Sequence, residues 1–191
     1  MTSVITYRDL NDTWSNFSNN IEGFISELGL SSLKLACDHV ALRVNSLESA
    51  KALSQEFECV GNIISNNIIN GRPILIFELN TPLILDNMSI DCVELPYPGD
   101  KTYPAEGWEH IELVLPCQAK TCEALRDELF KLAPQLESII TNSSDIKVKM
   151  SSPQGEHERL TNPTIAFKKG NICVKLHPHG IKDVIASEQA L

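Results

Sequence analysis

An internal repeat constrains the fold of this chain more than any other sequence feature. The segment Asp38-His39-Val40-Ala41-Leu42 is matched 71 residues later by Glu109-His110-Ile111-Glu112-Leu113. An amphipathic helical stripe follows each segment, and residues 73–77 and 92–95 are then matched by residues 163–167 and 173–176. Four matches in the same order indicate a duplicated unit of one strand, one helix and three strands. The sequence therefore predicts an α+β fold of two βαβββ modules, which form a cupped mixed sheet around one cleft.

The segments outside the repeat define the predicted domain organisation. Apolar residues at helical spacing, with Gly29 as a C-cap, predict an N-terminal helical extension over residues 1–32: Leu10, Trp14, Phe17, Ile21, Phe24, Ile25 and Leu28. We expect one domain over residues 33–191, with modules at about 35–98 and 106–180 and a closing helix at about 181–190. The second strand of each module is expected at residues 62–69 and 139–150, and residues 151–162 form an irregular insertion.

Charge and hydropathy exclude several classes of partner. The chain has 16 Lys and Arg against 25 Asp and Glu, a net charge of −9, and we expect neither nucleic acid nor anionic lipid to bind it. No apolar run approaches the roughly 18 residues of a membrane helix, and no secretory signal is visible. None of the six cysteines is spaced C-x-x-C. A cytoplasmic protein with reduced thiols is the expectation.

Alternation along the repeated strands separates an apolar face from a polar one. The apolar face needs cover, which the two amphipathic helices can provide. Unpaired charges buried on the other face would cost several kcal/mol, so that face is expected to line a polar cleft. An ion-pair network between sheets would give the same pattern. The residues of the predicted polar face are His39, Arg43, Glu94, His110, Glu112, Lys175 and His177.

Two histidines at matching positions, with a carboxylate on the same face, indicate a metal site. His39, His110 and Glu94 offer imidazole nitrogens and a carboxylate oxygen, which suit a divalent zinc, iron, manganese or nickel ion. Such a set leaves coordination positions open for water or substrate. The alternative is that each histidine is a hydrogen-bonded core residue.

The chain resembles the vicinal oxygen chelate superfamily, which includes glyoxalase I and the extradiol dioxygenases, and more closely the bacterial YecM family. The resemblance to the superfamily lies in the two βαβββ units with a histidine on each first strand and Glu94 on the fourth. The YecM-like motifs cover nearly the whole chain: Asp38-His39, Asn70-Gly71-Arg72-Pro73-Ile74, Val93-Glu94-Leu95-Pro96, Gly107-Trp108-Glu109-His110-Ile111-Glu112, Gly155-Glu156-His157-Glu158-Arg159-Leu160 and Ala186-Ser187-Glu188-Gln189.

The superfamily resemblance implies a ligand set with one departure. Its ligand positions fall on His39, Glu94 and His110, but the eighth-strand position, commonly Glu, is Lys175. An ammonium group cannot ligate a metal. Either the metal has three protein ligands, with His177 as a replacement for the fourth, or Lys175 pairs with Glu94 and no metal binds.

The resemblance implies a metal-dependent enzyme of the lyase, isomerase or oxygenase type, acting on a small, oxygen-rich, anionic molecule. Glu112 is the expected base, with an ion-pair partner of Arg43 or Lys175 as its alternative role. The cations expected to hold a substrate carboxylate or phosphate are Arg43, Arg159 and Lys175. A binding protein without turnover, in which Lys175 replaces a ligand, is the second hypothesis, and a structural or regulatory protein is the third. Both modules lie in one chain, so a monomer or a homodimer is compatible.

Overall fold

The computed structural model describes residues 4–69, 71–142, 145–152 and 160–189. Over these residues the strands are β1 (Ala36–Arg43), β2 (Gly61–Ile69), β3 (Arg72–Leu85), β4 (Met88–Pro96), β5 (Gly107–Val114), β6 (Lys147–Ser151), β7 (Thr164–Lys169) and β8 (Ile172–His177). The helices are α1 (Tyr7–Glu27), α2 (Leu47–Glu58), α3 (Cys122–Leu132), α4 (Leu136–Thr141) and α5 (Ile181–Gln189), with a 3₁₀ turn at Ser31–Leu33.

The strands form one mixed, eight-stranded sheet in the order β2-β3-β4-β1-β5-β8-β7-β6. The order is symmetric about its centre, because β1 and β5 pair antiparallel there while β1/β4 and β5/β8 pair parallel on either side. Each half is one βαβββ module. The α+β fold of paired modules predicted from the repeat is confirmed.

The two faces of the sheet have different cover. The main core lies on one face, where α1, α2 and α3 pack over apolar side chains that include Val40, Val93, Ile111 and Val174, all fully buried. On the other face, Ile185 of α5 packs in a smaller apolar cluster with Ile74, Ile76 and Cys92. Helix α5 thus covers the first-module half of the face that the alternation predicted to be polar.

Two β-bulges interrupt the central β1–β5 ladder. Cys37 pairs with Leu113 and His39 with Glu112, so Asp38 has no partner in that register. Further along, Ala41 pairs with His110 and Leu42 with Trp108, so Glu109 is likewise skipped. Each bulge therefore falls on the acidic residue that precedes a histidine of the repeat. A bulge re-aims the side chain it contains, and both of these carboxylates turn toward the cleft face.

Helix α1 has a capping motif at each end. The Thr6 hydroxyl accepts from the backbone N–H of Asp9, whose carboxylate in turn accepts from the N–H of Thr6, forming a capping box. At the other end Gly29 has a φ of 70°, and the N–H groups of Gly29 and Leu30 bond to the carbonyls of Ser26 and Ile25. This is a Schellman motif, so the predicted glycine C-cap is confirmed.

Two glycines of this region should respond to alanine in opposite directions. Gly23→Ala is expected to raise the free energy of unfolding by up to about 1 kcal/mol, because Gly23 is helical and an added Cβ meets no atom within 4 Å. Gly29→Ala should lower it by about 1–2 kcal/mol, because its left-handed backbone disfavours a Cβ. Urea unfolding of the two variants measures both changes, and a loss of stability in Gly23→Ala would contradict this account of α1.

The prediction of a strand over residues 139–150 was wrong at its beginning. Residues 136–141 form α4, and the strand β6 begins only at Lys147. Leu136 is fully buried, and Ile139 and Ile140 pack against the same core from one side of α4. Because these residues are spaced i, i+3 and i+4, a helix brings all three to that core, whereas a strand would divide them between two faces.

Part of the predicted insertion lies outside the described residues, which include neither His157 nor Arg159. Within the described ranges, no helix combines the length and the apolar composition that a membrane span requires.

Candidate metal centre

A cavity of about 190 Å³ opens on the face of the sheet opposite the main core. It is smaller than the ~300–1,000 Å³ pockets that take drug-sized ligands. All seven side chains of the predicted polar face line this cavity: His39, Arg43, Glu94, His110, Glu112, Lys175 and His177. The strand alternation therefore located the cleft correctly.

Three of these side chains come close enough to share one cation. His39, His110 and Glu112 are buried, and one possible ligand atom from each lies within 4.8 Å of the others. Glu112 Oε1 is 3.1 Å from His110 Nε2 and 3.6 Å from His39 Nε2. The strand register explains the proximity, because His39 pairs directly with Glu112 across β1 and β5 while His110 lies two residues before Glu112.

His39 shows that this donor set fits a metal ion. Its side chain is only 2% exposed, yet Nε2 lies 3.6 Å from Glu112 Oε1 and 3.8 Å from Glu94 Oε2 and makes no hydrogen bond to any described residue. A buried polar atom without a partner costs about 1–3 kcal/mol, so native proteins rarely keep one without a reason. A metal ion at Nε2 would supply the missing partner. Two imidazoles and a carboxylate are also the donors that zinc, iron, manganese and nickel accept.

A carboxylate stands behind each of the two histidines. Asp38 Oδ1 lies 3.2 Å from Nδ1 of His39, and the Glu109 carboxylate contacts Nδ1 of His110. A carboxylate at Nδ1 favours the tautomer that leaves Nε2 unprotonated, which is the form that ligates a metal. The paired bulges thus give both halves of the site the same carboxylate–histidine arrangement.

The carboxylate of Asp38 belongs to a longer polar chain. Asn162 Oδ1 accepts from the backbone N–H of His179, so its Nδ2 is the donor to His177 Nδ1 at 3.0 Å. The proton of His177 must then lie on Nε2, which is 3.2 Å from Asp38 Oδ1. Both ring nitrogens of His177 are engaged in this way, and Asp38 Oδ2 also accepts the N–H of Ile181, at the start of α5.

Glu112 is the electrostatic centre of the site. Burial by itself would raise the pKa of Glu112, but Lys175 and His39 lower it well below its usual value. Burial would likewise lower the pKa of Lys175, and Glu112 and Glu94 raise it instead. Lys175 Nζ is 2.8 Å from Glu112 Oε1, so Lys175 pairs with Glu112 rather than with Glu94. The alternative role of Glu112 as a partner of Lys175 is therefore present in the structure.

The pKa values of His39 and Glu109 are also set by burial on one side and neighbouring charges on the other. Burial opposes the charged form of His39, but Asp38 and Glu112 raise its pKa well above the usual value, so an ion that binds Nε2 has to displace a proton from it. Burial would raise the pKa of Glu109, and the hydrogen bond from His110 with the charge of Arg43 lowers it to about 2. The Glu109 carboxylate, which contacts the His110 ring, is thus ionised at neutral pH.

Glu94 lies beside the group of His39, His110 and Glu112 but is not part of it. Its Oε2 is 3.8 Å from His39 Nε2, and no described donor hydrogen-bonds to its carboxylate. The Glu94 carboxylate therefore faces the cavity without a hydrogen-bond donor among the described residues. Its predicted role as a ligand, like the ligand role of His177, stays a prediction.

Arg43 is already engaged on two sides. Its Nη2 lies 2.9 Å from Glu109 Oε1, and its guanidinium stacks 3.7 Å from the ring centroid of Tyr103. Arg43 therefore braces Glu109 behind His110, and its predicted contact with substrate stays a prediction. The predicted role of Arg159 falls outside the described residues.

The cysteines near the cleft are not activated. All described cysteines are free thiols. Burial raises the pKa of both Cys92 and Cys173 to about 12, so each thiol stays protonated at neutral pH.

Sequence reasoning assigned no role to four residues of the site: Asp38, Arg72, Glu109 and Asn162. The repeat did contain a signal for two of them, because an acidic residue precedes the histidine in both copies. Strict alternation places neighbouring residues on opposite faces unless a bulge intervenes, so Asp38 and Glu109 were not assigned to the polar face. Asn162 and Arg72 lie at the ends of other elements, where spacing gives no indication.

The chain is similar in sequence to a known protein family and to two bacterial proteins. The family model for "YecM protein" matches residues 6–188. The chain is 39% identical to Protein YecM of Escherichia coli (strain K12) over 193 residues, covering 98% of this chain and 97% of that protein. It is 37% identical over 172 residues to an uncharacterized protein of Haemophilus influenzae, covering 87% and 86% of the two chains.

A solved structure has the same fold. The structural-genomics structure of Protein EC4020 matches with a TM-score of 0.81 and 36% sequence identity, covering 95% of this chain and 92% of that one. At this identity and coverage the likeness extends to the whole described architecture.

Proposed function

The chain belongs to the YecM family, and on that premise we propose that its cleft is a divalent-metal centre of an enzyme acting on a small, oxygen-rich, anionic molecule. His39, His110 and Glu112 would hold the ion. The observation that carries the proposal is the Nε2 atom of His39, which is buried, makes no hydrogen bond to a described residue and faces the other two donors. A bound ion would supply a Lewis acid that polarises oxygen atoms of the ligand.

Glu94 is the residue we assign to proton transfer. It lines the cavity beside His39, and among the described residues no donor occupies its carboxylate. Glu112, the base expected from sequence, is less suited because Lys175 at 2.8 Å and His110 at 3.1 Å already engage its Oε1. A general base has to reach the proton it removes, and a carboxylate free to face the ligand meets that need.

Lys175 is suited to hold negative charge on the ligand. Its ammonium has three donors, and Glu112 Oε1 is the acceptor that the described residues provide for it. The remaining donors can bond to an oxygen atom of the ligand where charge develops during reaction. In a partly enclosed cavity, such a preorganised donor stabilises charge more than it would in solvent. This role would account for a lysine at position 175, where the superfamily commonly has a glutamate ligand.

A metal titration combined with a proton-exchange assay tests the proposal. Metal-free protein titrated with Zn²⁺ or Mn²⁺ should bind one ion per chain. The loaded protein is then incubated in D₂O with a panel of 2-hydroxy and 2-oxo acids, and NMR should detect metal-dependent exchange of a carbon-bound proton in one of them. Glu94→Gln should keep the metal and lose the exchange.

Two outcomes would count against this function. Absence of metal binding at millimolar Zn²⁺ and Mn²⁺ would refute the metal centre. Binding of the same acids by metal-free protein, without exchange, would instead support a binding protein without turnover, which the Lys175–Glu112 pair at 2.8 Å favours.

A further inference from the structure

We propose that Arg72 binds a carboxylate at the far end of the substrate, so that the cleft takes small 2-hydroxy or 2-oxo dicarboxylates rather than monocarboxylates. This inference rests on the proposed function for the end of the molecule that faces the histidines, and it adds the chemistry of the opposite end. The described lining has the cations Arg43, Arg72 and Lys175 and the carboxylates Glu94 and Glu112.

Arg72 differs from the other two cations in having no acidic partner among the described residues. Arg43 pairs with Glu109 at 2.9 Å, and Lys175 pairs with Glu112 at 2.8 Å. The one described contact of the Arg72 guanidinium is a hydrogen bond from Nη1 to the carbonyl oxygen of Tyr97 at 3.3 Å. That bond fixes one edge of the guanidinium and leaves further N–H donors, which match the two oxygens of a carboxylate.

The position of Arg72 separates it from the histidine cluster by a defined length of strand. Residues 72, 74 and 76 share one face of β3, and Ile76 pairs with Glu94. The Cα of Arg72 is thus about 13 Å along β3 from the level of Glu94, at roughly 3.3 Å per residue. The guanidinium contacts the carbonyl of Tyr97, three residues beyond Glu94, so about 10 Å along the sheet remain between the two groups. A ligand of a few carbon atoms can span the rest.

The wall between the two ends is apolar. Ile74 and Pro96 line the cavity from β3 and β4, and Ile181 and Val184 line it from α5. A hydrocarbon spacer would bury its surface against these side chains at little cost. The cleft therefore presents polar donors at one end, an apolar middle and a cation at the other end. This order of polar, apolar and cationic groups along the cleft matches a short dicarboxylate with oxygen on the carbon next to one carboxyl group.

Three probes with the same chelating head test the inference. Lactate, malate and 2-hydroxyglutarate share a 2-hydroxycarboxylate group, and the latter two carry a second carboxylate at increasing distance. Their dissociation constants on Mn²⁺-loaded protein are measured by calorimetry. At least one of the two dicarboxylates should bind about tenfold tighter than lactate, as expected of one charge-assisted bidentate contact. Inorganic phosphate should not displace it at equal concentration.

Arg72→Gln provides the decisive variant. It should reduce the dicarboxylate to the affinity of lactate, leave lactate within about twofold and leave Mn²⁺ affinity unchanged, while Arg72→Lys should retain part of the preference. Arg8→Gln, at an exposed residue of α1, is the matched control and should change none of these values. Equal binding of all three acids by the wild type would overturn the inference, as would an equal loss of lactate and dicarboxylate in Arg72→Gln.

The two proposals fail in distinguishable ways. Failure of the proposed function appears as absence of metal in the Mn²⁺ titration, before any acid is added. Failure of the inference appears as a dicarboxylate-to-lactate ratio near one in protein that does bind Mn²⁺. If no metal binds, the same ratio is measured on metal-free protein. A preference for the dicarboxylate that Arg72→Gln abolishes would then still support the Arg72 site, and a ratio near one would overturn it.

Discussion

Replacing His39 with alanine is expected to lower the affinity for Zn²⁺ or Mn²⁺ by more than about 100-fold, since changes behind the ligands alone typically cost 10–100-fold. His39 supplies one of two imidazole nitrogens in a cluster whose ligand atoms lie within 4.8 Å of one another. Calorimetric titration of metal-free variant protein measures the loss.

The same variant separates a ligand from a structural histidine. Wild-type protein at a free metal concentration of 100 times its Kd should gain about 2.7 kcal/mol in free energy of unfolding, and His39→Ala should lose nearly all of that gain. Without metal, the variant should be less stable than wild type, because alanine leaves a cavity in place of a buried ring and removes the partner of Asp38 and Glu112.

His179→Ala is the matched control for His39→Ala. Described contacts of His179 come from its backbone, which bonds to Asn162, and its side chain is not among those that line the cavity. The control should bind metal as wild type does. Unchanged metal affinity in His39→Ala, or a metal-dependent gain in its stability equal to that of wild type, would contradict the assignment of His39 as a ligand.

The carboxylates behind the histidines carry the second prediction. Asp38→Asn and Glu109→Gln should each lower metal affinity by about 10–100-fold, although neither residue is expected to touch the ion. Both substitutions keep the shape of the side chain and remove the charge that favours the ligating tautomer of His39 or His110. Metal affinity at pH 7 is measured by competition with a chelating dye.

Asp38 needs its own control, because it also holds the start of α5. Its Oδ2 accepts the backbone N–H of Ile181 at 2.5 Å, and helix α5 lines the cavity. Asp91→Asn disturbs the same helix through Lys182, whose Nζ is 2.7 Å from Asp91 Oδ2, without touching either histidine. Asp91→Asn should leave metal affinity unchanged. A loss equal to that of Asp38→Asn would show that helix placement, not the charge behind His39, is responsible.

The faces of the strands were predictable because alternation is a local property. Residues two apart point the same way, so His39 and Arg43, or His110 and Glu112, could be placed together without knowledge of their partners. All seven predicted residues indeed line the cavity. The repeat also allowed the pairing of the two modules to be predicted, because duplicated units have to bury matching apolar faces.

The distances between side chains were not predictable, because they depend on register and bulges. Sequence reasoning placed Glu94 with the histidines and Glu112 nearby, whereas the antiparallel register sets His39 directly opposite Glu112. Asp38 and Glu109 reach the rings only because a bulge falls on each. A bulge is a property of two paired strands, and neither strand encodes it alone. For the same reason the helix α4 escaped prediction, since tertiary packing of Leu136 decided it.

Anomalous scattering from crystals of the protein grown with Zn²⁺ or Mn²⁺ tests the central claim most directly. Data collected on both sides of the metal's absorption edge should give one strong difference peak in the cleft. The peak is expected at about 2.0–2.2 Å from Nε2 of His39, Nε2 of His110 and a carboxylate oxygen of Glu112. A cleft without a peak, or a peak bound by His177 and Asp38 and away from His39 Nε2 and His110 Nε2, would contradict it.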